Sequence, residues 1–165
     1  MYNRSRISKC RLAKMGFTLI EVMVTISMVL VLVAIAVPGL SSLVQGNSVT
    51  SYSNAIVGSL MLAKSEASKR ASIVSLDVNA NWNNGWSIND MSQASPLIRQ
   101  FDGIPASYQV ISTTLNLGFL NDGSINRTTD YQITIEPVDG CSDDLVRIIT
   151  VTPVGNISTA NGSCI

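Results

Sequence analysis

The sequence predicts an α+β fold: one long amino-terminal helix, membrane-spanning in its first half, packed on a small antiparallel β-sheet head. Three observations predict it. Residues 17–37 form an apolar run in which Glu21 is the sole charge. Tyr52, Ile56, Leu60, Ala63 and Ala67 then recur at three- and four-residue spacing, the apolar stripe of a helix with one packed face. From Ile73 onward the texture changes to short β-branched and alternating runs separated by Asn, Asp and Gly.

The elements follow in order. Residues 1–16 carry Arg4, Arg6, Lys9, Arg11 and Lys14 and no acid. The run 17–37 rises roughly 31 Å at about 1.5 Å per residue, enough to cross a bilayer core. Within 22–37 only Thr25 and Ser27 are polar. Positive charge before the run holds that end in the cytoplasm, so the bulk of the chain lies on the far side. A secretory signal would place its small-residue cleavage site after the apolar region. Here Ala34-Ile35-Ala36 lies inside the run, and the small residue at a processing position, Gly16, comes before it. Cutting there removes the leader and keeps the helix.

Pro38-Gly39 predicts a kink or local melting, since proline removes a backbone donor. The helix then resumes to about Ala71, loosened at Gly46-Asn47-Ser48, with Lys64, Glu66, Lys69 and Arg70 mostly off its apolar stripe. Strands are expected over 73–78, 85–88, 97–101 and 115–119, and most strongly over 131–136 and 146–152. Asn83-Asn84-Gly85, Asn121-Asp122-Gly123, Asp139-Gly140 and Asn161-Gly162 supply turns. Several short strands behind one helix give a head with one antiparallel sheet or two small ones. The expected organisation is 1–16 leader, 17–38 spanning helix, 39–71 amphipathic continuation and 72–165 β-rich head.

Glu21 is the informative residue. A charge inside a bilayer core costs roughly 2.5–3.5 kcal/mol on insertion scales, so a segment that only crosses the membrane gains by losing it. Gly16-Phe17-Thr18-Leu19-Ile20-Glu21-Val22, after a basic leader and before a long apolar helix, resembles the class III signal of type IV pilins and type II secretion pseudopilins. The resemblance implies that a prepilin peptidase cuts between Gly16 and Phe17 and N-methylates Phe17. It also implies that Glu21 pairs with the terminal amine of an adjacent subunit during assembly. Pairing two groups that are each costly in lipid partly offsets both costs.

Further motifs narrow the resemblance to the GspH/FimT/FimU group of minor pilins and pseudopilins. Leu62-Ala63-Lys64-Ser65-Glu66-Ala67-Ser68-Lys69-Arg70 is similar to its helix end, with lysine at 64 where the group typically has arginine. Trp82-Asn83-Asn84-Gly85-Trp86 is similar to its W-x-x-G-W element, and Phe119-Leu120-Asn121-Asp122-Gly123 to its F-x-x-x-G element. Trp82 and Trp86 are expected to pin the head against the helix rather than to stack on a ligand.

Composition limits the chemistry. Five of the eleven bases lie in the leader, so a chain beginning at Phe17 carries six bases against eleven acids. That is a poor start for a phosphate-binding surface. The chain has no histidine, which removes the commonest acid–base catalyst and metal ligand. Asp139, Asp143 and Asp144 lack the spaced ligand loop of a calcium site. No nucleophile motif or phosphate-cradling glycine loop appears. The expectation is a non-enzyme with no cofactor, metal or small-molecule substrate. Of the three cysteines, Cys10 lies in the leader, while Cys141 and Cys164 form an even pair in the exported part, where a disulfide between them is expected.

The resemblance implies three functions. The first is a FimU/FimT-like minor pilin that assembles into, and primes or caps, a type IV pilus. The second is the GspH-type minor pseudopilin of a type II secretion system, and the third a DNA-binding minor pilin of natural transformation. The DNA-binding subgroup typically carries a G-R-x-R segment near its carboxyl end; the comparable stretch here, Val154-Gly155-Asn156-Ile157-Ser158, has no base. DNA is therefore a disfavoured partner. The expected partners are the prepilin peptidase, other major and minor pilins or pseudopilins, and the inner membrane. The expected location is the bacterial inner membrane, single-pass with the head in the periplasm, and then the filament.

Overall fold

The computed structural model describes residues 17–92 and 96–164; within these, the side chains of residues 37–42 are also outside the description. The leader and Gly16 lie outside the described residues. Helical backbone runs over Leu19–Arg70 (α1), and the chain divides into two units, Met1–Leu40 and Ser41–Ile165.

In the first unit, Thr18 starts the helix: its hydroxyl accepts from the Glu21 backbone N–H at 3.3 Å. Every side chain over Leu19–Ala36 is exposed, and this segment is long and apolar enough to cross a membrane. Its two internal hydroxyls are spent locally: Thr25 donates to the Val22 carbonyl and Ser27 to the Met23 carbonyl. The outward surface therefore stays apolar.

In the second unit, α1 is helical through Gly46-Asn47-Ser48, where loosening was expected. The reason is local. Thr50 donates to the Gly46 carbonyl at 2.8 Å, and a Cβ at Gly46 would stand 3.4 Å from Leu145, so this turn is packed rather than free. Ala71 ends the helix with φ 51°, and the Ser72 N–H bonds back to the Ala67 carbonyl at 3.2 Å, a Schellman closure. Val49, Ile56, Leu60, Ala63 and Ala67 are buried, one face of the helix.

Eight strands follow: β1 Val74–Val78, β2 Trp86–Asp90, β3 Leu97–Phe101, β4 Tyr108–Ser112, β5 Asn116–Phe119, β6 Tyr131–Pro137, β7 Arg147–Val151 and β8 Ile157–Asn161. Short 3-10 turns lie at Trp82–Asn84 and Asp143–Leu145. They form two four-stranded antiparallel sheets, ordered β3-β2-β1-β5 and β4-β6-β7-β8. Alternation decides which side chains go in. Val74, Leu76, Ile88, Leu117 and Phe119 of the first sheet are buried, as are Tyr131, Ile133, Ile135, Ile149 and Val151 of the second. Both sets share one core with the buried face of α1. Strands β4 and β8 were not anticipated; both are sheet edges, and Ser158, Thr159, Ala160 and Asn161 of β8 are exposed.

Candidate assembly site and the head

The anchor places its one acid in the first helical turn. Thr18 and Glu21 stand in the T-x-x-E spacing of a capping box, a signal the sequence reading passed over. A carboxylate there also meets the partial positive charge of the helix start. Glu21 thus helps begin its own helix while remaining exposed to a partner. Phe17, two residues before the helix, is 81% exposed. Ile20, Val22 and Val24 beside Glu21 in the chain are apolar and exposed.

The two tryptophans lock the head together by different routes. Trp86 is buried on β2, and its indole N–H donates to the Ser59 hydroxyl of α1 at 3.0 Å. Trp82 is buried in the turn before β2, but its indole N–H reaches Ser112 on β4 at 3.2 Å. One therefore ties the first sheet to the helix and the other ties it to the second sheet. Trp82 and Trp86 lie 5.5 Å apart, and Phe101 stacks on Trp86 at 5.3 Å. Neither indole face is left open for a ligand.

Lys64 is not a solvated member of a basic helix face. It is half-buried, and its ammonium donates to the Gly155 carbonyl at 2.8 Å, while its stem runs beneath Gly123. The turn after β5 and the turn between β7 and β8 meet over it: a Cβ at Gly155 would strike the Gly123 carbonyl, and both glycines have positive φ. The F-x-x-x-G and helix-end motifs are thus two halves of one contact.

The remaining cations are also mostly committed. Lys69 and Arg70 pair with Glu66 at 3.6 and 2.6 Å, and Arg70 also approaches the buried Asp90 at 3.5 Å. The Arg70 hydrogen bond holds the Glu66 carboxyl below its ordinary range. Arg127 donates to the Thr114 hydroxyl, and Arg147 to the carbonyls of Asp144 and Val146. Arg99 alone has no hydrogen bond or ion pair among the described residues; its guanidinium sits 5.1 Å from the Phe101 ring centre.

Cys141 and Cys164 are joined by a disulfide, with Cα atoms 6.2 Å apart. The Cys164 N–H donates to the Asp143 carboxylate at 3.1 Å. Glu136 approaches both sulfurs, but sulfurs tied to each other are not thiolates and offer a metal no soft anionic ligand. No metal is assigned here.

The profile of the GspH family, described as Type II transport protein GspH, matches residues 53–155. Among curated protein sequences none matches the chain. The fold is similar to that of two crystal forms of the type IV minor pilin FimU of Pseudomonas aeruginosa. One has a TM-score of 0.58 at 22% identity over 67% of this chain and 91% of that one. The other gives 0.58 at 23%, over 69% and 89%. It is also similar to the minor pseudopilin EpsH of the Type 2 Secretion System of Vibrio cholerae, with a TM-score of 0.54 at 11% identity over 69% and 97%. An apolar amino-terminal helix and a head of two antiparallel sheets define the class of minor pilins and pseudopilins, structural subunits of type IV pili or type II secretion filaments. Within that class, the chain belongs to the GspH family.

Proposed function

We propose that this protein is a minor pilin that enters a type IV pilus and primes or caps it. On this reading the leader is cut between Gly16 and Phe17, Phe17 is N-methylated, and residues 17–38 hold the subunit in the inner membrane with its head in the periplasm. Assembly then moves that helix into the filament core. The observation that carries the reading is Glu21: one carboxylate in the first turn of an otherwise apolar, fully exposed helix. An acid is kept in such a place at a cost of roughly 2.5–3.5 kcal/mol, and a neighbour's terminal amine offsets that cost. The likeness to FimU, which covers more than nine-tenths of that chain, supports the pilus. The family's description as a type II transport protein favours a second reading, a subunit of a secretion filament. Deleting the gene separates the two: lost surface pili point to the first, lost protein secretion to the second.

The test of the pairing uses two variants of the full chain. Glu21→Gln keeps the size and a capping acceptor but removes the charge; Glu21→Ala removes both. Both are expected to be processed and membrane-bound normally, yet to fall about tenfold in copies per sheared filament, the scale of one lost charge pair. Wild-type incorporation of Glu21→Gln would contradict the pairing role.

A further inference from the structure

A groove of about 610 Å³ runs between the exposed side of α1 and the edge strand β3, and its lining includes Gly58, Met61, Leu62, Arg99 and Phe101. Its construction is unusual for a sheet edge. Arg99 pairs across the ladder with Ile88, and Phe101 with Trp86. Ile88 and Trp86 are buried toward α1, so Arg99 and Phe101 stand on that same inner face, where a core residue would normally go. Phe101 is half-buried at the margin of the core, and Arg99, two residues before it, is exposed. At Gly58 an added Cβ would meet nothing within 4 Å, and Met61 is 56% exposed. The groove floor is rigid, because Phe101 stacks on Trp86 and Trp86 is bonded to Ser59.

We propose that this groove docks a segment of a neighbouring filament subunit in which one carboxylate is flanked by apolar side chains. The inference rests on the filament reading above. Charge complementarity identifies the occupant. Of the six bases after the leader, Arg99 is the one with neither ion pair nor hydrogen bond among the described residues. Arg99 is exposed with its guanidinium 5.1 Å from the Phe101 ring centre, which leaves its planar donor fork available for bidentate pairing with an incoming carboxylate. Among the described residues the outer edge of β3 is unpaired, so the same segment finds main-chain partners there.

The test places Arg99→Glu, Arg99→Lys and Gly58→Leu in the full-length protein in its native host and counts copies in sheared filaments. A Cβ at Gly58 meets nothing within 4 Å, so Gly58→Leu has room to enter the groove and raises helix propensity, and unchanged membrane levels report that folding is retained. Arg99→Glu and Gly58→Leu are expected to lower incorporation about tenfold while membrane levels hold; Arg99→Lys stays within about twofold. Wild-type incorporation of both Arg99→Glu and Gly58→Leu overturns the proposal. So does Arg99→Glu behaving as wild type while Gly58→Leu fails, because then Arg99 only guards the strand edge, which either charge does. If the wild-type chain in detergent is a dimer that Arg99→Glu dissociates, the occupant is a second copy and a heterologous partner is excluded. Wild-type protein absent from filaments sinks the filament reading instead, which keeps the two failures distinct.

Discussion

At the scale of single residues, charge placement separates assembly from stability. Glu21 is exposed, whereas Asp90 is 1% exposed and held from within: its Oδ1 takes the internal hydrogen bonds, while its Oδ2 has no hydrogen bond and faces only the Arg70 guanidinium at 3.5 Å. Its carboxylate accepts from the Ser92 hydroxyl at 2.7 Å, the Ser92 N–H at 3.0 Å and the Ser72 hydroxyl at 3.0 Å. These bonds, the Ser92 hydroxyl foremost, hold the Asp90 carboxyl below its ordinary range. A carboxyl depressed on folding contributes stability that is complete above its unfolded pKa of about 4 and is lost as pH falls through the lower folded value. Asp90→Asn should therefore make the acid limb of the stability curve shallower below about pH 4. Denaturant titrations of the full chain in detergent between neutral and acid pH would show it; an unchanged acid limb would count against the assignment.

At the scale of elements, what the sequence reveals depends on whether the signal is local. The anchor needs only a run of apolar residues and one acid, both contiguous, so it is read directly. The α1 stripe and strands β1, β6 and β7 are likewise local alternations, with Ile133, Ile135 and Ile149 inward as their spacing requires. Strand β8, Ile157-Ser158-Thr159-Ala160-Asn161, has no such alternation; it exists because β7 offers an edge to pair with. Strand β4 has apolar residues adjacent, Val110 and Ile111, which blurs the period, and only its pairing with β6 settles which side faces in. The same limit applies to the sites. The Gly16-to-Glu21 spacing is contiguous, whereas the position of Arg99 beside Gly58 follows from the pairing of β3 with β2. Lys64 stands off the apolar stripe, and nothing local marks its bond to the Gly155 carbonyl, because that partner is 91 residues away.

Elements also show where a covalent tie is needed. The Cys141–Cys164 disulfide joins the segment after β6 to the segment after β8, across a sequence separation of 23. It secures the exposed edge strand β8, which has little apolar surface to hold itself. In the chain-entropy treatment a loop of this length contributes roughly 3 kcal/mol. The double variant Cys141→Ser/Cys164→Ser should lose about that much in chemical denaturation, and a midpoint equal to wild type would show the tie to be dispensable.

At the scale of the whole molecule, the parts divide the work of a filament subunit. The head buries its tryptophans and pairs most of its bases within the chain, leaving Arg99 as the base with no hydrogen bond or ion pair among the described residues. The amino-terminal helix is apolar on every side, as a segment destined for lipid or for other helices must be. On the proposed reading, the basic leader holds the near side of the membrane and is removed once the helix is in place. Where the mature chain begins decides whether Glu21 can act as proposed. The most direct measurement is the intact mass of the protein recovered from sheared filaments of the native host. The expected mass is that of a chain starting at an N-methylated Phe17 with Glu21 retained. A mass that includes residues 1–16, or one that lacks the apolar helix, would contradict it.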